Sequence, residues 1–297
     1  MNKYLIFRTD RIGDFHLSLI LIKSIKRIDP SCSITIVSSN KNYEYIKSFK
    51  IVDEVILLKK GLINKLKTFV KINKNFYRAI IIHDSKNRSK LISYFLRSKF
   101  KYYVNKITKN SYIDEIKGIL FSLNFDFIES DLNTLEYRST YNPNIFKDNY
   151  LVFHFDEKWI FNNYIKTYIN IEPNKDQLIE FLNKLTLKTN KKLIVTSGSK
   201  TPELLSDIFA KNFNPNIKLI DNLNFLHLEN IIIQSSLLIA CHGSVSHVAA
   251  AKSIRQIDII DKSYNYGLWT AHFRNYQSLN RSKFNILSKN IINLLNS

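Results

Sequence analysis

The chain has 297 residues and 34.9 kDa, with a formal net charge of +19 from 44 Lys and Arg against 25 Asp and Glu. Single cores seldom grow to this length, so two domains are expected. With 45% hydrophobic and 23% charged residues the composition is globular, and no run approaches the 18 consecutive apolar residues of a spanning helix, which excludes an integral membrane protein.

Arg8, Asp10, Arg11 and Asp14 break up the opening, leaving no apolar run of the kind a secretory signal needs, so a cytoplasmic chain is expected. Cys32 and Cys241 are too far apart and too isolated for a disulfide framework or a zinc site, and read as buried thiols. The positive charge attracts anionic partners such as nucleotide diphosphates or acidic lipid surfaces. Its lysines read as diffuse, no nucleic-acid motif accompanies them, and nucleic acid is not expected as a partner.

From the start, an apolar run over Lys3–Phe7 is followed by polar RTDRIGD and an apolar-periodic segment over 15–25, which is strand, loop and helix. SITIVSS reads as a second strand, KNYEYIKSF as a short helix, VDEVILL as a third strand, GLINKLKTFVKINK as an amphipathic helix and RAIIIHD as a fourth strand. Such alternation implies a mostly parallel sheet covered on both faces. Polar RSTYNPNIFKDNY, over about 137–150, reads as a linker. Beyond it the pattern repeats: strand LVFHF, a helix over 175–188, strand KLIVTSG, a helix after Thr201 and Pro202 with Thr201 as its cap, strand IKLID, a helix over 226–235 and strand LLIAC.

In open α/β sheets ligands bind beyond the carboxyl ends of strands, so the loops there carry the chemistry. After the first strand, Gly13 offers unusual backbone geometry, and Asp14 enters the first turn of a helix either as its cap or as a base facing a cleft. Neither G-x-G-x-x-G nor a phosphate-binding G-x-x-x-x-G-K-[ST] loop occurs, which argues against a nicotinamide-dependent oxidoreductase. In CHGSVSHVAAA, the backbone N–H groups around Gly243, Ser244 and Ser246 can cradle a diphosphate at a helix start, and His247 can add a donor.

Taken in order, YLIFRTDRIGDFHLSLILIKSIKR, IVDEVILL, AIIIHDSKNRSKLISYFL (with Asp84, Arg88 and Ser89), FHFDEKWIF (with Lys158 and Trp159) and LLIACHGSVSHVAAA resemble the lipopolysaccharide heptosyltransferase family, glycosyltransferase family 9. The resemblance runs from Tyr4 to about Asp261. It implies an α/β fold of GT-B type, two Rossmann-like doubly wound domains facing an interdomain cleft, with residues 1–145 on the acceptor side and 150–297 binding the nucleotide sugar. It further implies an inverting, metal-independent glycosyltransferase without a cofactor, moving heptose or a similar sugar from a donor such as ADP-heptose to a cell-envelope glycan such as a lipopolysaccharide core, with peripheral contact to an anionic membrane.

By the same resemblance Asp14 is the general base. The donor is bound by Lys158, by His242, Gly243, Ser244, Val245, Ser246 and His247, and by Gly13. Trp159 reads as core. The sequence departs from the family at His242, where an aspartate is usual, which bears on donor preference. The alternative reading is a GT-B member without transfer activity that binds an anionic glycan or nucleotide.

Overall fold

The computed structural model describes residues 1–104, 110–135, 149–210 and 213–295. The expected linker at 137–150 lies, but for its last two residues, outside the described residues. The chain forms two compact units, Met1–Arg138 with Gly267–His272, and Ser139–Tyr266 with Phe273–Ser297.

In the first unit β1 (Lys3–Phe7), α1 (Ile12–Ile28), β2 (Ser33–Ser38), α2 (Tyr43–Lys47), β3 (Glu54–Leu57), α3 (Leu62–Ile72), β4 (Tyr77–Ile82), α4 (Asn87–Tyr94), β5 (Ser98–Tyr103) and α5 (Tyr112–Ser122) alternate. All strand pairs are parallel and the order is β3-β2-β1-β4-β5. Tyr4–Phe7 are completely buried because β1 lies between β2 and β4 with helices on both sheet faces. One face carries a core of Leu5, Phe7, Ile80 and Ile82 beneath Ile72 of α3 and Ile92 of α4. Asp14 is the third residue of α1, and its Oδ2 accepts the Arg11 N–H at 3.2 Å, so it does support the helix start. Gly13 lies within α1 in ordinary helical geometry, which corrects the expectation of a special backbone there; the glycine with positive φ is Gly61.

The second unit contains β6 (Tyr150–His154), α6 (Lys175–Thr189), β7 (Lys192–Thr196), α7 (Glu203–Phe209), β8 (Ile217–Ile220), α8 (Phe225–Ile233), β9 (Leu237–Cys241), α9 (Ser244–Ala251), β10 (Gln256–Ile260), β11 (Tyr276–Asn280) and α11 (Phe284–Leu294), with α10 (Gly267–Thr270) falling in the first unit. Its parallel sheet runs β11-β10-β9-β6-β7-β8. Trp159 is completely buried among Phe153, Phe155 and Phe284, and its Nε1 donates to the His154 carbonyl at 3.0 Å. Truncating such a side chain costs about 3–5 kcal/mol, so Trp159 is structural. Helix α7 starts at Glu203 with Pro202, expected in its first turn, at the N-cap position and no side-chain cap; Thr201, expected to cap it, donates instead to Asp221 Oδ2 at 2.7 Å. No helix among the described residues is long and apolar enough to cross a membrane, and both cysteines are buried and free.

Candidate functional site

Each sheet has one point where the chain reverses the direction in which it lays down strands. In the first unit this lies between β1 and β4, and in the second between β6 and β9. Loops leaving two such neighbouring strands diverge to opposite faces and open a crevice, the usual ligand position in doubly wound sheets. The loop after β1 holds Arg8, Thr9, Asp10 and Arg11 and leads into the first turn of α1 with Asp14; the loop after β4 holds His83, Asp84, Ser85 and Lys86 and leads into α4 with Arg88 and Ser89. The loop after β6 holds Asp156, Lys158 and Trp159, and the loop after β9 opens on His242 and Gly243. The residues singled out in the sequence thus gather at two switch points.

In the first crevice Asp84 ties the loops together. It accepts from the Thr9 N–H at 3.3 Å, from Ser89 Oγ at 2.8 Å, from the Lys86 N–H at 3.1 Å and from the Thr9 hydroxyl, while Arg88 donates to Thr9 Oγ1 at 2.8 Å. Beneath lies buried Arg8, whose Nε donates to Ser18 Oγ at 2.7 Å and whose guanidinium pairs with Asp10 at 3.0 Å. Ser18 Oγ in turn stands 2.8 Å from His83 Nδ1. Burial pushes the Asp10 carboxyl up to about 6, with Arg8 opposing and Asp14 and Asp84 adding to the rise. Burial, helped by Arg8, holds His83 well below its ordinary value. One Arg8 Nη, Asp10 Oδ1 and His83 Nε2 are buried with no hydrogen-bond partner among the described residues. Leaving such groups unpaired costs roughly 1–3 kcal/mol each, an expense that fits a site where a polar ligand completes the set.

In the second crevice Lys158 reaches the turn after β9. A Cβ placed on Gly243 would stand 3.0 Å from Lys158 Nζ, so the ammonium lies directly against that backbone. Lys158 pairs with Asp156. Burial would lower the lysine, but Asp156 overrides it and holds Lys158 above its ordinary value. Burial would raise Asp156, but Lys158 and His154 outweigh it and hold the carboxyl low. Both are therefore charged at neutral pH, and an ammonium carries three donors of which Asp156 needs one. Helix α9 begins at Ser244, where the first N–H groups have no partner within the helix and the dipole favours an anion. The Gly243 N–H donates to Ser246 Oγ at 3.2 Å, and Ser246 Oγ donates to Asp258 Oδ1 at 2.7 Å. Val245 is buried, which leaves only its backbone for a ligand, and buried His247 packs against Phe273 with ring centroids 5.2 Å apart.

Three residues here were not read from the sequence. Asp258 of β10 stands 2.6 Å from His242 Nδ1 and also accepts from Tyr276. A lone aspartate inside apolar QIDII was the available signal. Arg281, just after β11, donates to the Lys158 carbonyl at 2.7 Å and to the Ile169 carbonyl at 3.2 Å, with its guanidinium over the Tyr168 ring at 4.7 Å, fastening the Lys158 loop. Asp10 carries the charge bound to Arg8, and its position four residues before Asp14 was its only mark.

The chain matches no family model and no curated protein. Among solved structures it is similar to an E. coli heptosyltransferase, WaaC, with ADP, at TM-score 0.73 and 12% identity over 99% of each chain. It is similar to a glycosyl transferase family 9 structure from Veillonella parvula DSM 2008, at TM-score 0.71 and 12% identity over 98% of this chain and 89% of that one. A putative UDP-N-acetylglucosamine 2-epimerase from Listeria monocytogenes follows at TM-score 0.62 and 14% identity over 99% and 88%. At such identities the likeness establishes the fold, two Rossmann-like units of the GT-B kind.

Proposed function

We propose that the chain is an inverting, metal-independent glycosyltransferase that moves heptose or a similar sugar from a nucleotide diphosphate donor to a cell-envelope glycan such as a lipopolysaccharide core. The reading is carried by the second crevice: a charged lysine lies against the glycine that opens a helix, at the strand pair where doubly wound sheets bind ligands. The structures it is similar to include one heptosyltransferase, WaaC, solved with ADP and again with ADP-2-deoxy-2-fluoro heptose.

In this reading the donor's diphosphate sits between Lys158 and the start of α9, with Ser244 and Val245 contributing backbone N–H groups, Gly243 allowing close approach because it has no side chain, and Ser246, which accepts the Gly243 N–H, shaping the turn. Negative charge that develops on the leaving diphosphate meets these fixed donors, while His242, whose Nδ1–H is given to Asp258, offers Nε2 as an acceptor to a hydroxyl of the donor. Asp14 takes the proton of the acceptor hydroxyl as that oxygen attacks the anomeric carbon from the face opposite the diphosphate. The carbon–oxygen bond to the diphosphate breaks and configuration inverts. General-base assistance of this kind contributes on the order of 100-fold to 10,000-fold. The Arg8–Asp10 pair and Asp84 hold the loop that presents Asp14. The enzyme works in the cytoplasm against a lipid-anchored acceptor and meets an anionic membrane peripherally.

The test is Asp14→Asn against a panel of nucleotide sugars, with binding followed by thermal stabilisation and transfer by product formation. The variant should bind donor and transfer almost nothing; near-normal turnover removes Asp14 from the mechanism. A second reading, an epimerase of nucleotide sugars, is favoured by the likeness to 2-epimerases. Donor converted to its epimer without any acceptor would select it, and donor binding with neither product would select a non-catalytic binder.

A further inference from the structure

Helix α3 is apolar on the wrong side for a helix of a soluble core. Thr68 and Ile72 are buried and Phe69 packs against the core, yet Leu62, Ile63, Leu66 and Val70 are 72%, 70%, 54% and 59% exposed. At 3.6 residues per turn these four fall within an arc of roughly 100°, offset from the buried side, so they form one continuous outward stripe. Helix α4 packs on the same sheet face, since Ile92 joins Ile72 in one core cluster, and it too turns Leu91 and Tyr94 outward at 65% and 72% exposure. Scattered exposed apolar residues need no explanation; four on one arc of a single helix do.

The charge around the stripe is one-sided. Between residues 55 and 101 the sequence holds 10 Lys and 3 Arg but a single acidic residue, Asp84, and Asp84 is buried. The lysines are thus less diffuse than the composition implies. Exposed Lys59, Lys60 and Lys67 border the stripe, and Lys71 reaches Glu54 at 2.8 Å.

We infer that the outer side of α3 docks on an anionic lipid surface, the apolar stripe entering the boundary between headgroups and acyl chains while the lysines meet the headgroup charge. An apolar stripe with a cationic rim matches both layers of such a surface. Nucleic acid would answer the charge and leave Leu62, Ile63, Leu66 and Val70 without a purpose. The inference deepens the membrane-contact part of the proposed function and does not depend on its chemistry.

The experiment is co-sedimentation of the full chain with mixed phosphatidylcholine and phosphatidylglycerol vesicles and with phosphatidylcholine vesicles alone. The wild type should sediment with the anionic vesicles and lose that binding in part as salt rises. Leu62→Ser, Ile63→Ser, Leu66→Ser and Val70→Ser combined should weaken binding at least about tenfold, with the melting temperature as the check on folding. Because both native cysteines are buried, Leu66→Cys can carry a polarity-sensitive fluorophore, whose emission should shift to the blue on anionic vesicles. Equal binding to both vesicle types, an unshifted fluorophore, or binding only to an RNA duplex added as competitor would overturn the inference. Asp14→Asn should bind vesicles like the wild type, so failure here is distinguishable from failure of the transferase reading.

Discussion

His242 and Asp258 are joined through the imidazole Nδ1, which stands 2.6 Å from Asp258 Oδ2, while the other carboxylate oxygen accepts from Ser246 at 2.7 Å. A carboxylate can only accept, so Nδ1 carries the hydrogen and Nε2 is left for a ligand. The turn that opens α9 is therefore built around a buried negative charge from β10. Tyr266, His247 and Phe273 surround the same imidazole, and Tyr276 also donates to Asp258.

The pairing explains why a histidine suits position 242 in this chain. His242→Asp would bring two carboxylates to within hydrogen-bond distance of each other, so we expect a lower melting temperature. Combining it with Asp258→Asn should restore most of the loss. A double-mutant cycle should give a coupling of about 1–3 kcal/mol; additive effects would show that the pair does not organise the turn.

Lys158 is partly buried, Asp156 is buried, and the two carry opposite charges. Lys158→Met leaves the buried Asp156 carboxylate with His154 alone for compensation and should cost up to about 3–5 kcal/mol. Adding Asp156→Asn should recover much of the stability without recovering nucleotide binding. Chemical denaturation followed by calorimetry separates the two effects, and recovery of both would assign Lys158 a purely structural role.

Asp10 titrates near 6 beside Asp14 and Asp84. We expect kcat/KM for transfer to fall as pH drops through about 6, and this acid limb to disappear in Asp10→Asn while some activity remains. A profile identical to wild type would exclude Asp10 from the site.

Stability should also fall with acid. Burial lowers His272 to about 4 and holds His83 low, so the unfolded chain binds protons first, and stability present above about 6.5 is lost as pH falls toward 4. Asp10 works in the opposite direction, because a raised carboxyl is protonated more readily in the folded state and adds stability as pH falls from about 6 toward 4. His83→Asn, which keeps an acceptor for Ser18, should flatten the acid loss and Asp10→Asn should steepen it. Melting curves across this range should differ from wild type by roughly 5 °C; parallel curves would contradict the assignment.

The strands legible in the sequence are those with apolar runs, from Lys3–Phe7 to Leu237–Cys241, because a central parallel strand is buried on both faces. Strand β5, SKFKYY, at a sheet edge, has its aromatic residues interrupted by Lys99 and Lys101 and so carries no such run. The strand-to-helix segments over 8–14 and 242–247 were legible because they follow recognisable strands. Asp258 and Arg281 were not, because their partners come from segments 16 and 123 residues away and no local pattern announces such pairings. Thr201 shows the same limit: a good cap residue by type, it is taken by Asp221.

The most direct measurement is calorimetric titration of the wild type and Gly243→Val with ADP, UDP and GDP. Gly243 has an extended backbone at φ 177°, so valine is tolerated there and adds only bulk, with its Cβ 3.0 Å from Lys158 Nζ and 3.4 Å from Cε. The proposed donor site predicts saturable binding of at least one diphosphate by the wild type and at least about tenfold weaker binding by the variant, at a similar melting temperature. Equal affinity in the two proteins, or no binding of any nucleoside diphosphate by the wild type, would contradict it.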